Sequence, residues 1–99
     1  MIRHVVMWSI KDEITGEEKM QAVLKMKEMI ESLKPVIKEI IECEVGINAN
    51  PNEKFDISIN TVFENFETLK IYNDHPAHQE VVKYVRSIVN QRCAIDYEI

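Results

Sequence analysis

The sequence predicts an α+β fold, a ferredoxin-like sandwich with the element order β-α-β-β-α-α-β and a four-stranded antiparallel sheet. Two observations lead to this fold class. Four segments alternate apolar and other residues with the period of two typical of strands, and the segments between them repeat apolar residues at spacings of three and four. The 99 residues contain no linker, repeat or low-complexity tract, so we expect a single domain over residues 1–99.

The first predicted strand, Ile2–Ile10, carries apolar residues on both faces, which predicts that both faces are covered. A helix should follow from Thr15, because Thr15 and Glu18 have the spacing of a capping box. Pro35 should interrupt the helical pattern, since its ring removes a backbone donor and clashes with the preceding turn. The inward residues of this helix are predicted to be Met20, Val23, Leu24, Met26, Ile30 and Leu33.

Three further strands are predicted by alternation, with an Asn-rich loop between the first two: Ile41–Ile47, Phe55–Phe63 and Arg92–Ile99. The last of them places apolar or sulfur-containing residues on one face, namely Cys93, Ile95, Tyr97 and Ile99.

A helix pair separates the third and fourth strands. Asn65 should cap a short helix whose inward residues are Phe66, Leu69 and Tyr72. Pro76 should end this helix, because the residue before a proline avoids the α conformation, and should begin a second helix that continues to about Asn90.

In this architecture helices cover only one face of the sheet, yet the strands carry more apolar residues than that face requires. A second copy of the chain is the economical cover for the other face. We therefore expect a homodimer formed through the sheet faces, with an interface on the order of 2,000 Å² or more.

The composition excludes several classes of partner. The net charge of −5 and the scattered Lys and Arg residues disfavour a nucleic-acid partner. The start of the chain lacks a signal-peptide pattern and no apolar run approaches ~20 residues, so we expect no membrane association and a cytoplasmic location. Cys43 and Cys93 lie in alternating segments without zinc-ligand spacing, which predicts free thiols and no metal.

The stretch IYNDHPAHQEVV, Ile71 to Val82, holds two of the three histidines of the chain. If Pro76 is the first helical residue, His78 lies in the first turn on the face of Val81 and Val85 and should point inward. Burial and the helix N-terminus both disfavour a positive charge, so its imidazole should be neutral and competent as a base. Tyr72 should also point inward, and a phenol near a neutral imidazole is an acid–base pair able to act on a carbonyl compound.

A purely structural interpretation of these residues remains open. Tyr72 and His78 would then only close the helix junction, and His75 would cap the second helix with its ring nitrogen. His4, which alternates with Ile2 and Val6, is either a core histidine or a third wall of a polar pocket. The His-x-x-His spacing of His75 and His78 spans a helix start and lacks a matching carboxylate, so no metal site is predicted.

Four segments resemble the stress-responsive dimeric α/β-barrel (Dabb) family: HVVMWSIKDE, VGIN, VFENFETLKIYNDHPAHQEVVKYV and CAIDYE. The resemblance implies a ferredoxin-like protomer and a homodimer whose two sheets form a barrel. In a plant polyketide cyclase of this family the catalytic tyrosine and histidine match Tyr72 and His78, and a first-strand pocket histidine matches His4. A third-strand pocket histidine of that enzyme aligns with Ile57, where this chain departs.

Together these arguments predict a small-molecule pocket between sheet and helices. Tyr72 and His78 are the predicted catalytic residues of a cyclase or lyase type of reaction that needs no cofactor. His4, His75 and Ile57 are the predicted ligand-binding positions. A non-catalytic dimer that acts in the stress response only through its structure is the alternative.

Overall fold

The computed structural model describes residues Met1 to Ile99 and contains the predicted elements in the predicted order. The strands form one antiparallel sheet in the order β2-β3-β1-β4, which confirms the ferredoxin-like α+β fold class. The elements are β1 (Ile2–Ile10), α1 (Gly16–Glu31), β2 (Glu42–Ile47), β3 (Ile57–Phe63), α2 (Phe66–Asp74), α3 (Pro76–Ile88) and β4 (Val89–Glu98).

The strand register divides the side chains of the sheet into two faces. On the inner face Trp8 lies opposite Ile57 and Val6 opposite Ile59, and all four side chains are buried. The helices pack on this face and contribute buried residues to the same core: Ala22, Val23, Met26, Ile30, Leu69, Tyr72, Val81, Val85 and Ile88.

The outer face of the sheet is apolar in its β1–β4 half. The predicted grouping of β4 residues is confirmed, because Cys93 and Ile95 lie opposite Met7 and Val5 on β1. Met7 is 37% exposed, Tyr97 43% and Ile95 61% in the protomer, so no element of the chain covers this face.

The start of α1 differs from its prediction. Thr15 is the N-cap residue, but its hydroxyl makes no capping hydrogen bond. Gly16 enters the helix with a φ of 58°, a left-handed conformation that glycine tolerates and that changes the geometry of the first turn. The predicted capping box of Thr15 and Glu18 is therefore wrong.

Three apolar side chains predicted to point inward are exposed. Met20 and Leu24 lie outside the buried stripe of α1, because that stripe centres on Val23, Met26 and Ile30. Phe66 is the first residue of α2 and is also exposed, whereas Leu69 and Tyr72 are buried as predicted.

The junction between α3 and β4 is shorter than predicted. The helix ends at Ile88 and not at Asn90, and the strand begins directly at Val89. Lys11 donates its backbone N–H to the carbonyl of Ile88 at 2.9 Å, which ties this junction to the end of β1. None of the three helices is both long and apolar enough to cross a membrane.

Candidate active site

The junction of α2 and α3 is built from local hydrogen bonds. Asn65 begins α2 with a capping box in which its side chain and that of Thr68 each bond the other's backbone. His75, in an extended conformation, separates the helices, and Pro76 is the first residue of α3. The N–H of Ala77 donates to Nδ1 of His75 at 3.0 Å, which confirms that His75 can cap α3.

This junction brings Tyr72 and His78 together. Their ring centroids are 4.3 Å apart and the ring planes meet at 45°. The Tyr72 ring also packs against Phe63 of β3, whose centroid is 4.9 Å away. The phenol and the imidazole are therefore held in contact by packing from the sheet.

The imidazole of His78 is set up as a neutral base. Its Nδ1 lies 3.0 Å from the backbone carbonyl oxygen of Asn73, which can only accept a hydrogen bond, so Nδ1 carries the hydrogen. Burial lowers the pKa of His78, and the nearby His4 and His75 lower it further, against the opposing effect of the Asn73 bond. In this tautomer Nε2 has a free lone pair near neutral pH.

The phenol of Tyr72 is set up as a hydrogen-bond donor. Burial raises its pKa, with a smaller contribution from Cys43, so the phenol stays protonated at physiological pH. The hydroxyl makes none of the side-chain hydrogen bonds of the protein, yet it is not sealed in the core as an unpaired polar atom. Its donor is therefore available to a bound molecule.

Next to the Tyr72 ring lies His4, which is paired with an acidic residue that pattern reading missed. His4 on β1 is buried, and its Nδ1 contacts Oδ1 of Asp96 on β4 at short range. The His4 and Tyr72 centroids are 6.4 Å apart in an edge-on arrangement. Asp96 was missed because the register that places it beside His4 joins the first strand to the last.

A cavity of about 120 Å³ opens next to the Tyr72–His78 pair, between α3 and the inner face of the sheet. Most of its wall is apolar. The lining residues are Trp8, Ile30, Ile59, Tyr72, His78, Val81, Val82, Val85, Arg86, Val89 and Arg92.

The three predicted ligand-binding residues lie off this wall. His75 is used as a helix cap, and His4 lies beneath Tyr72, bonded to Asp96. Ile57 is buried in the core opposite Trp8, and its neighbour two residues on, Ile59, lines the cavity instead. The structure thus joins the two predicted catalytic residues at one cavity, while the predicted ligand-binding residues lie outside its wall.

Other clefts offer less chemistry. The cleft between the start of α1 and the β2–β3 loop is larger, about 490 Å³, and open. Of its two carboxylates, Asp56 already accepts the Ile10 N–H at 2.7 Å and pairs with Lys19 at 2.8 Å, and the other belongs to Glu53. No three His, Cys, Asp or Glu side chains in the protein are placed to hold a metal ion. The two cysteines, Cys43 and Cys93, are free thiols, as predicted.

Comparisons with known proteins agree with the fold and the sequence resemblance. The family model described as "Stress responsive A/B Barrel Domain" matches residues 2–99. The chain therefore belongs to the stress-responsive A/B barrel domain family.

Two curated relatives extend over nearly the whole chain. An uncharacterized protein from Streptomyces coelicolor is 33% identical over 100 residues and covers 99% of each chain. Olivetolic acid cyclase from Cannabis sativa is 26% identical over 96 residues, covering 97% of this chain and 94% of the cyclase. The predicted relationship to that cyclase is confirmed.

Solved structures share the fold. A dimeric protein of unknown function with a ferredoxin-like fold from Bacteroides fragilis is 34% identical, with a TM-score of 0.94 over 99% of this chain and 95% of the other. Hydroxynitrile lyase from Passiflora edulis is only 16% identical but has a TM-score of 0.83 over 99% of this chain and 90% of the lyase. At that identity the likeness to the lyase concerns the fold alone.

Proposed function

We propose that this protein is a homodimer that binds a small carbonyl compound in the cavity beside Tyr72 and His78 and performs acid–base chemistry on it. The observation that carries the proposal is the contact between a protonated phenol and a neutral imidazole at the edge of an apolar cavity. The centroids of the two rings are 4.3 Å apart. The identity of one curated relative as a cyclase favours chemistry of this type.

The proposed step is removal of a proton from a carbon next to a carbonyl group. Nε2 of His78 takes the proton, the electron pair of the broken C–H bond forms a carbon–carbon double bond, and the π pair of the carbonyl group moves to its oxygen to give an enolate. The Tyr72 hydroxyl donates a hydrogen bond to that oxygen. Because its pKa is raised, the phenol shares its proton and does not give it up. In a cyclase the enolate carbon then attacks a second carbonyl group, and the proton held by His78 passes to the new alkoxide oxygen. In a lyase His78 instead takes the proton of a β-hydroxyl group, the carbon–carbon bond breaks to release an enolate stabilised by Tyr72, and the proton returns to the enolate carbon.

The homodimer is proposed from the outer sheet face. Met7, Ile95 and Tyr97 are exposed there side by side, and an apolar surface of this kind is normally covered by a partner. A second copy covers it with the same apolar face, as an isologous interface requires. A relative that is 34% identical is described as dimeric.

The experiment that tests the site is thermal stabilisation by a panel of aromatic acids, phenols and β-keto compounds. A ligand at 100 times its dissociation constant should add about 2.7 kcal/mol to the stability of the wild type. Tyr72→Phe and His78→Gln should each weaken this effect for the same ligand. The matched control, His75→Asn, keeps a cap acceptor at a position off the cavity wall and should leave it unchanged.

A non-catalytic structural dimer is the second candidate. It is favoured by the packing of Tyr72 between Phe63 and His78, which alone stabilises the helix junction. In that case the panel gives no ligand, His78→Gln lowers the melting temperature without any other effect, and Tyr72→Phe, which keeps the ring, has little effect on it. A compound that stabilises the wild type and not these variants would exclude it.

A further inference from the structure

The mouth of the cavity carries two arginines that the proposed reaction does not use. Arg86 lies in the last turn of α3, Arg92 lies on β4 opposite Trp8, and both line the cavity. Both residues are exposed. They are the only positively charged side chains among the residues that line this cavity.

Neither guanidinium group has a partner in the protein. All five ion pairs of the structure involve other residues, with Lys19, Lys27, Lys70, Lys83 and His4 as the basic members. Their positive charges are therefore not neutralised by an acidic side chain of the protein. Two guanidinium groups without ion-pair partners at one apolar cavity are suited to bind an anion.

Each arginine alone has an ordinary explanation. A basic residue in the last turn of a helix interacts favourably with the helix dipole, and this applies to Arg86. A charged residue on an edge strand hinders pairing with other chains, and this applies to Arg92. Neither explanation requires the two side chains to line the same cavity.

The chemistry of the wall narrows the class of ligand. Guanidinium groups bind carboxylates through paired hydrogen bonds and are more weakly hydrated than ammonium groups, which suits them to a partly apolar mouth. The whole cavity, about 120 Å³, is close in volume to the roughly 150 Å³ that holds a benzene ring in a protein core.

We propose that the cavity takes an organic acid whose apolar part is about one aromatic ring in size, with its carboxylate held at the mouth by Arg86 and Arg92. This inference rests on the proposed function, because it assumes that the ligand occupies the cavity beside Tyr72 and His78. It adds the substrate class: a carbonyl compound that is also a carboxylic acid.

The test compares 4-oxo-4-phenylbutanoate with its methyl ester. The two probes share the ring and the ketone and differ in the charge. Both are titrated into the wild-type protein, and amide NMR spectra locate the binding site and give the dissociation constants. The proposal predicts that the acid binds at least about tenfold more tightly than the ester, as expected for a charge-assisted hydrogen bond. The shifted signals should include Val81 and Val85.

Substitutions distinguish the effect of these two arginines from the effect of any positive charge on the protein. The Arg86→Gln, Arg92→Gln double variant should bind acid and ester equally. Lys83→Gln removes a cation from the same helix outside the cavity wall and should retain the preference. Thermal melting shows whether each variant is folded, and the acid–ester comparison in the wild type needs no variant.

The outcomes distinguish the two proposals. Equal binding of acid and ester at the cavity, unaffected by the double substitution, would overturn the assignment of the arginines and leave the proposed function standing. If neither probe binds, the proposal that the ligand is a ring-sized organic acid is wrong. The wider ligand panel would then decide the proposed function. If inorganic phosphate alone competes fully with the acid at equal concentration, the site binds small anions and not an organic acid.

Discussion

The hydroxyl of Tyr72 and the imidazole of His78 are polar groups held at the edge of an apolar core, and their surroundings shift their pKa values in opposite directions. Burial raises the pKa of the phenol and lowers the pKa of the imidazole, so both groups stay uncharged near neutral pH. An uncharged donor and an uncharged acceptor in contact are what enolate chemistry needs. The roles of the two residues can be tested separately, by substitution of Tyr72 and by the pH dependence that His78 gives to stability.

Tyr72→Phe should separate function from packing. The substitution keeps the ring against Phe63 and removes only a hydroxyl that has no partner in the protein. We expect the free energy of unfolding to change by less than about 1 kcal/mol, and any turnover to fall by roughly 10²-fold or more. Chemical denaturation and rate measurements on one preparation check both. A large loss of stability with unchanged turnover would contradict the assigned role.

His78 should make the protein less stable in mild acid. Its pKa is lowered in the folded state, so the unfolded chain binds the proton more readily between the folded pKa and about 6.5. Stability should therefore be intact above about pH 6.5 and decrease as the pH falls through the folded pKa. Melting curves between about pH 7 and pH 5 should show a smaller decrease for His78→Gln. Identical decreases would mean that the His78 imidazole is not desolvated.

At the level of elements, the site depends on the sharp change of direction between α2 and α3. Pro76 begins α3 and His75 accepts the Ala77 N–H, so two adjacent residues fix where the second helix starts. The position of His78 in the first turn follows from that start. A change in the cap should therefore affect both stability and the site.

His75→Ala should lower the free energy of unfolding by about 1 kcal/mol, the usual effect of losing an N-cap acceptor. His75→Asn should restore most of it, because asparagine offers an acceptor at the same place. Urea denaturation of the two variants and the wild type measures the difference. Equal stability of the alanine and asparagine variants would show that the ring nitrogen of His75 contributes nothing to the helix start.

The elements also show how far the sequence alone predicts the structure. Alternation, Pro76 and the spacing of His78 to Val81 and Val85 are local features, so the strands, the junction and the inward side of α3 follow from them. The inward assignment of Met20 failed because a helix with apolar residues around much of its surface does not reveal which side meets the sheet. Asp96 and Arg92 reach the site through the pairing of the first and last strands, which no local pattern encodes.

For the molecule as a whole, the sheet is the element with two roles. Its inner face holds the site, and its outer face exposes Met7, Ile95 and Tyr97. The proposed dimer covers this second face. Because β1 contributes to both faces, the proposed dimer would also support the strand that carries His4 and Trp8.

Ile95→Glu should disrupt the dimer. Ile95 is 61% exposed in the protomer, so a charge there is tolerated by the fold but would be buried against its symmetry mate in the dimer. Sedimentation at micromolar concentration should give a dimer for the wild type and a folded protomer for the variant. Lys83→Gln, on the helical side, is the control and should stay dimeric. A wild-type protomer under these conditions would rule out the proposed assembly.

The most direct test of the central claim is deuterium exchange at the carbon next to a ketone, followed by proton NMR in heavy water. A set of one-ring aryl ketones and keto acids is incubated with the wild type, with Tyr72→Phe and with His78→Gln. The account predicts that the wild type accelerates exchange of at least one of these compounds above the buffer rate, and that His78→Gln returns it to that rate. Acceleration that survives in both variants, or none with any compound, would contradict proton abstraction by His78.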